Sequence, residues 1–104
     1  MSSGFPIVRD VTLSRGGGSG TGQIIIRSVE EDRDRECWVC RWRFPPLLPE
    51  EIATCGEDGL QALLICIREI MQHIAHCSER GIQVFWLSPE DKGGFDVLVS
   101  FPDA

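Results

Sequence analysis

The sequence lacks any apolar run that approaches the roughly 20 residues of a membrane-spanning helix. Its first residues contain no basic cluster followed by an apolar stretch, so we expect no secretory signal peptide. Without an export signal the expected compartment is the cytoplasm, where thiols stay reduced. The five cysteines are also an odd number, which argues against a complete disulfide framework.

An excess of basic charge is also missing. The chain has 10 lysine and arginine residues against 16 acidic ones, which gives a formal net charge of −6 and a pI near 4.8. Binding to nucleic acid depends on neutralising phosphates, and binding to an anionic membrane surface depends on basic residues. We therefore expect neither nucleic acid nor a membrane as a partner.

What the chain does have is the composition of one globular domain. It is 104 residues long, 42% hydrophobic and 25% charged, and no domain boundary interrupts it. A domain of this length buries roughly two-thirds of the surface that its unfolded chain exposes, so it can fold without disulfides or a structural metal. We expect a single domain over residues 1–104.

Three extended segments come first, over residues 7–13, 23–30 and 36–44. The third alternates, which places Trp38, Cys40, Trp42 and Phe44 on a core face and Cys37, Val39, Arg41 and Arg43 on a largely solvent-facing side. The glycine-rich link over residues 15–22 and the polar link over residues 30–35 favour hairpins, and thus an antiparallel meander. Three prolines, at positions 45, 46 and 49, predict that the sheet stops there, with residues 47–55 crossing to a helix.

The strongest pattern predicts one long amphipathic helix over residues 57–80. Glu57 and Asp58 suit the positive end of the helix dipole, and Gly81 suits the position after the last turn. Ile65 is the one apolar residue on the predicted polar side. The predicted inner stripe recurs at three- and four-residue spacing and comprises Leu60, Leu63, Leu64, Ile67, Ile70, Met71 and Ile74.

A further strand is predicted over residues 82–87, and the alternation over residues 95–101 predicts one more. The expected architecture is therefore α+β, with a three-stranded antiparallel meander, one long helix packed on the sheet, and one or two further strands.

Cysteine and histidine spacing raises the possibility of a metal or thiol site. Cys37 and Cys40 form a C-x-x-C pair, and His73 and Cys77 lie one helical turn apart. Zinc needs four converging ligands, whereas residues three apart on a strand point to opposite faces. Packing cysteines are the competing interpretation, and the glycine-rich link lacks the lysine and following helix of a phosphate-binding loop.

Residues 56–63, GEDGLQAL, resemble the helix-start motif G-x-D-[SG]-[LI]-Q-A-L of a family of small bacterial proteins known only as a domain of unknown function. That family has a strand with tryptophan and cysteine before the helix, matched by Trp38 and Cys40, and later elements matched by Trp86 and Phe101-Pro102. Gly59 departs from the commoner serine. The resemblance spans residues 37–102 and implies the fold and a bacterial origin, but no activity, ligand or cofactor.

The leading functional hypothesis is a non-catalytic protein-interaction module, either partner-binding or immunity-like. The sequence contains no recognisable constellation of catalytic residues, and an acidic surface can steer a basic partner. The expected partner is another protein or a second copy of the chain, contacted through Asp58, Gln61 and Ile65. The alternative is a metal-binding or thiol-based module that uses Cys37, Cys40, His73 and Cys77; an enzyme with a cleft near the helix start is a third possibility, and no cofactor is expected.

Overall fold

The computed structural model describes residues 5–85, which form five strands and one helix. The elements in chain order are β1 (Ile7–Arg15), β2 (Gly18–Asp32), β3 (Cys37–Phe44), β4 (Leu48–Gly56), α1 (Gly59–Glu79) and β5 (Ile82–Phe85). The strands form one sheet in the order β4-β3-β2-β1-β5, and every neighbouring pair is antiparallel. The predicted α+β architecture with one helix on an antiparallel sheet is confirmed.

The meander has four strands before the helix rather than the predicted three. Strand β4 occupies the stretch that the prolines had predicted to be a connection, and it pairs with β3 from Trp38↔Gly56 to Phe44↔Leu48. Pro45 and Pro46 lie in the turn between these two strands, while Pro49 lies within β4. Strand β4 is at the edge of the sheet, so one of its sides has no neighbouring strand. A proline that faces this open side removes no hydrogen bond between strands.

The glycine-rich link is mostly strand. The turn between β1 and β2 consists of Gly16 and Gly17, whose φ angles are +57° and +141°. Glycine adopts these angles without the penalty that a side chain would bring. Strand β2 then begins at Gly18 and runs for 15 residues, so the predicted flexible hairpin loop shrinks to two residues.

Helix α1 is slightly shorter than predicted, because Asp58 is its N-cap and its last residue is Glu79. Gly81 follows the C-cap Arg80 with φ at +87°, as predicted for the position after the last turn. No helix within residues 5–85 is long and apolar enough to cross a membrane.

The core lies between α1 and one face of the sheet, here called the core face. Cys40, Trp42 and Phe44 are buried there, as predicted. The predicted inner stripe of the helix is wrong at two positions, because Leu60 is 67% exposed and Leu64 is 54% exposed. The helix residues that are buried instead are Ala62, Cys66, Ile70 and Cys77.

Small side chains explain this orientation of the helix. A Cβ atom on Gly56 of β4 would lie 2.4 Å from the backbone nitrogen of Ala62, and one on Gly59 would lie 3.3 Å from the ring of Trp38. The helix backbone therefore approaches the sheet where glycine and alanine permit it. Leu60 and Leu64 point away from the sheet, because a leucine side chain could not fit between the backbones of α1 and β4 at that distance.

The other face of the sheet, here called the outer face, is not covered by a helix of the described region. Alternation along β3 places Cys37, Val39, Arg41 and Arg43 on it. Arg43 is exposed as predicted, but the prediction is wrong for Val39, which is only 1% exposed and lies between its register neighbours Glu30 of β2 and Cys55 of β4. Of the two late strands that the sequence predicts, residues 86–87 and 95–101 lie outside the described residues.

Candidate functional site

The start of α1 contains two of the predicted contact residues, and the structure gives both a capping role. The Oδ1 atom of Asp58 accepts a hydrogen bond from the backbone N–H of Gln61 at 2.8 Å. In return, the Oε1 atom of Gln61 accepts a hydrogen bond from the backbone N–H of Glu57 at 2.6 Å. This reciprocal pattern resembles a capping box, except that the return bond reaches the N–H of Glu57, one residue before the N-cap, and not that of Asp58 itself.

The exposed side of α1 carries an apolar stripe that starts immediately after the cap. Leu60 and Leu64 are exposed, and Ile67 and Met71 continue the stripe as half-buried residues. At 100° per residue these four side chains fall within an arc of about 60°. The third predicted contact residue, Ile65, is half-buried on the opposite side of the helix. The stripe of Leu60, Leu64, Ile67 and Met71 is called the helix flank below.

A buried polar chain connects the sheet to the side of α1 that faces β4. The indole Nε1 of Trp42 donates to Oγ1 of Thr54 at 3.0 Å, and the Thr54 hydroxyl donates to Oε1 of Glu69. Thr54 is 4% exposed, so water cannot replace these partners easily. The single hydroxyl satisfies both a core tryptophan and a helix carboxylate, which fixes the lateral position of α1 on β4.

One pair of cysteines lies in the core, between β3 and α1. Cys40 and Cys66 are both 0% exposed, and their side chains interact directly. The hydrogen bond with Cys40, together with burial, raises the pKa of the Cys66 thiol. The same hydrogen bond lowers the pKa of Cys40. Both residues are nevertheless 0% exposed, so a dissolved reagent cannot reach either sulfur, and the pair serves the packing of the core.

A second pair of cysteines lies on the outer face, between β3 and β4. The Cys37 side chain is partly exposed, and that of Cys55 is exposed. The hydrogen bond with Cys55, and then burial, raises the pKa of the Cys37 thiol. Nη1 of Arg35 lies 4.0 Å from the sulfur of Cys55, and Nε of Arg35 lies 3.7 Å from a carboxylate oxygen of Asp32.

The four cysteine and histidine residues of the predicted metal site do not come together as one group. Cys37 lies on the outer face and Cys40 on the core face, as expected for residues three apart on a strand. His73 and Cys77 do meet, with 3.5 Å between Nε2 and Sγ. Within residues 5–85, no group of three or more histidine, cysteine, aspartate or glutamate side chains is arranged to hold a metal ion.

The His73 ring lies at the edge of the core. Its centroid is 5.5 Å from that of Phe44, in an edge-to-face arrangement. Burial, and to a smaller extent the neighbouring His76, lowers the pKa of His73. Burial raises the pKa of Cys77. Both shifts favour the neutral forms, so the contact between them is one of neutral groups.

A cavity of about 320 Å³ opens beside the β1–β2 hairpin. Its walls are formed by hairpin glycines and by apolar side chains such as Leu13, Leu47 and Ile82. Among the described residues that line it, Arg15 is the only titratable one. General acid–base chemistry needs a positioned proton donor or acceptor with a pKa near the working pH, and the described part of the walls does not offer one.

Three features of these regions were not predicted from the sequence. The prolines predict a connection at Cys55 and give no sign of its position opposite β3, although the run Ile52-Ala53-Thr54-Cys55 contains strand-favouring residues. The contact of Arg35 with Cys55 depends on that same strand. The exposure of Leu60 and Leu64 was missed because periodicity marks which residues are apolar and not which of them touch the sheet.

No family model, curated protein or solved structure matches the chain. The resemblance of residues 56–63 to a family of unknown function therefore stays a prediction.

Proposed function

We propose that the protein is a non-catalytic interaction module that binds a protein partner through the helix flank. The observation that carries this proposal is the exposure of Leu60 and Leu64, at 67% and 54%, on an otherwise well-packed helix. Single exposed leucines are ordinary, but two that begin a continuous apolar stripe form a surface that a partner can desolvate.

The spacing of the helix flank supports a helical partner. Leu60, Leu64, Ile67 and Met71 are separated by four, three and four residues, the repeat that lets one helix pack along another. The cap formed by Asp58 and Gln61 supports the same function indirectly, since it holds the first turn, and with it Leu60, in a fixed position. In this proposal the two capping residues position the contact surface, and Ile65 lies outside it.

The overall charge of the chain favours a basic partner. With a formal charge of −6, the protein attracts a cationic surface at long range, which raises the association rate more than the final affinity. A partner with an apolar helix edged by lysine or arginine would satisfy both requirements. We therefore expect binding that slows at high salt but persists, because apolar contacts supply most of its free energy.

The test is a double variant, Leu60→Gln with Leu64→Gln, compared with Gln72→Ala on the opposite, polar side of the helix. Capture from an extract of the producing cells should retain a partner with the parent chain and with Gln72→Ala, and lose it with the double variant. Sedimentation velocity of each purified protein distinguishes a second copy of the chain from a foreign partner. Equal capture by all three proteins, or a monomer that captures nothing, would contradict the proposal.

The contact between His73 and Cys77 favours a second candidate function, metal binding. These residues supply two ligands on one helical turn, and a structural zinc ion needs four. Elemental analysis of protein purified without a histidine tag tests this candidate. Zinc at less than about a tenth of an equivalent would exclude it, whereas one equivalent that is lost in His73→Gln would support it.

A further inference from the structure

The two thiols on the outer face are placed to react with each other. In the register of β3 and β4, Cys55 lies opposite Val39, so Cys37 is its diagonal neighbour on the same face. Diagonal neighbours have Cα atoms about 7–8 Å apart, while a disulfide needs about 4.4–6.8 Å. Closure therefore requires an approach of roughly 1 Å or slightly more.

That approach is feasible because Cys37 lies at the end of its strand. It is the first residue of β3 and follows a turn whose last residue, Glu36, has φ at +54°. The backbone of a residue at the end of a strand is held by fewer paired neighbours than that of a residue in the middle of the strand. The side chains of Cys37 and Cys55 already interact, so only a short movement is needed.

We propose that Cys37 and Cys55 form a site of thiol–disulfide exchange that closes to an intramolecular disulfide when a small-molecule disulfide, such as oxidised glutathione, reacts with it. The sulfur of exposed Cys55 attacks one sulfur of the reagent, breaks its S–S bond and releases one glutathione, which takes up the proton lost from Cys55. The sulfur of Cys37 then attacks that of Cys55 and releases the second glutathione with the second proton. Two protein thiols are oxidised, and one disulfide is reduced to two thiols.

Arg35 has a positioning role in this exchange. Its Nη1 donor lies 4.0 Å from the Cys55 sulfur, and its Nε lies 3.7 Å from a carboxylate oxygen of Asp32. Negative charge is spread over the reacting sulfurs in the transition state, and a cation beside one of them stabilises that charge. Neighbouring Arg33 is exposed on the same turn and offers a matched control.

The remaining cysteines provide an internal control. Cys40 and Cys66 also interact, but both are 0% exposed, and Cys77 is only 4% exposed. A dissolved disulfide cannot reach these sulfurs without opening the core. Of the five thiols, two should therefore react and three should remain free.

The experiment incubates the reduced full-length chain with oxidised glutathione, traps free thiols by alkylation, and reads the intact mass and the cross-linked peptides. We expect three alkylated thiols and one disulfide that joins Cys37 to Cys55. Cys37→Ser should stop at a mixed disulfide on Cys55, and Cys77→Ala should behave as the parent apart from the removed thiol. Closure of Cys40 onto Cys66 first, a lasting mixed disulfide on the parent chain, or five free thiols would each overturn the proposal.

The kinetic arm compares Arg35→Gln with Arg33→Gln under the same conditions. Arg35→Gln should slow the first exchange several-fold, while Arg33→Gln should leave the rate unchanged. A common rate for both variants and the parent would overturn the role of Arg35. Because the helix flank takes no part in this chemistry, Leu60→Gln with Leu64→Gln should oxidise as the parent does.

Discussion

On the core face of β3, Cys40 meets Cys66 of α1 under complete burial, whereas on the outer face Cys37 meets Cys55 of β4 beside solvent. Both contacts join two thiols across neighbouring elements. The two contacts differ in what covers them. Helix α1 covers the core face, whereas no helix of the described residues covers the outer face. The same pair of residue types therefore supports packing in one place and offers reactivity in the other.

The difference extends to the residues around each pair. The core face carries Trp42, Phe44 and Thr54, all nearly inaccessible, and a substitution there must leave a cavity or an unpaired polar group. The outer face carries exposed arginines and acids, such as the ion pair of Arg27 with Glu51 at 2.5 Å. Exposed groups of this kind can be changed with little cost, unlike Val39, which lies on the same face but is 1% exposed.

The largest contrast between the faces should appear with two neighbouring residues of β3. Phe44→Ala, on the core face, should lower the free energy of unfolding by about 3–5 kcal/mol, because the ring is 0% exposed and its loss leaves a cavity. Arg43→Ala, on the outer face, should change it by less than about 0.5 kcal/mol. Urea denaturation of both variants measures the difference. Similar losses for the two would show that the outer face is also part of a core.

A second comparison concerns the buried hydroxyl that joins the sheet to the helix. Thr54→Val keeps the shape but removes the partner of the Trp42 indole and of Glu69, so we expect a loss of about 1–3 kcal/mol. Thr54→Ser keeps the hydroxyl and should lose less. Denaturant midpoints of the two variants give the answer. If the Thr54→Val variant were as stable as the Thr54→Ser variant, the polar chain would contribute nothing to the position of α1.

The close approach of α1 to β4 can be tested with one added carbon atom. Gly56→Ala would place a Cβ atom 2.4 Å from the Ala62 nitrogen, so the helix must shift at a cost of about 1–3 kcal/mol. Gly20→Ala is the matched control, because a Cβ atom there meets nothing within 4 Å. Thermal unfolding separates them. A Gly56→Ala variant as stable as the parent would mean that the helix is not held by this contact.

The smallest expected effect is a dependence of stability on pH at the edge of the core. Burial lowers the pKa of His73 below its ordinary 6.5, so around that pH the unfolded chain binds more protons than the folded chain. The free energy of unfolding should therefore fall as the pH drops below about 6.5 and recover above it. His73→Gln should remove most of this slope, whereas exposed His76→Gln should retain it. Denaturation at a series of pH values checks the sign, which would be reversed if protonated His73 had a partner in the fold.

How well the fold could be predicted depended on the type of signal. The alternation of Trp38, Cys40, Trp42 and Phe44 predicted the core face correctly, because the period of a strand leaves two faces to choose from and the apolar one is buried. Strand β4 was missed because three prolines within five residues usually end a sheet. A strand tolerates a proline such as Pro49 when it lies at the edge of the sheet. Which strand lies at the edge depends on the strand order, and a local sequence pattern carries no information about that order.

The candidate sites were less predictable than the fold. Asp58 and Gln61 were picked out by their motif, and their hydrogen bonds show a cap, a role that the spacing S/T/D-x-x-E/Q can suggest. The sequence links Cys37 to Cys40 through the C-x-x-C spacing. Its actual neighbour, Cys55, is 18 positions away in sequence and adjacent only through the register of two strands.

The sequence by itself determined an antiparallel sheet, one long helix with its start and end, and the residues that are apolar enough to be buried. These follow from local periodicity, capping and turn chemistry. Only the tertiary structure decided which apolar residues meet. Glycine and alanine at the contact of β4 with α1 let two backbones approach, and this turned Leu60 and Leu64 outward. The orientation of a helix depends on the closest fit between surfaces, and that fit is a property of pairs of distant residues.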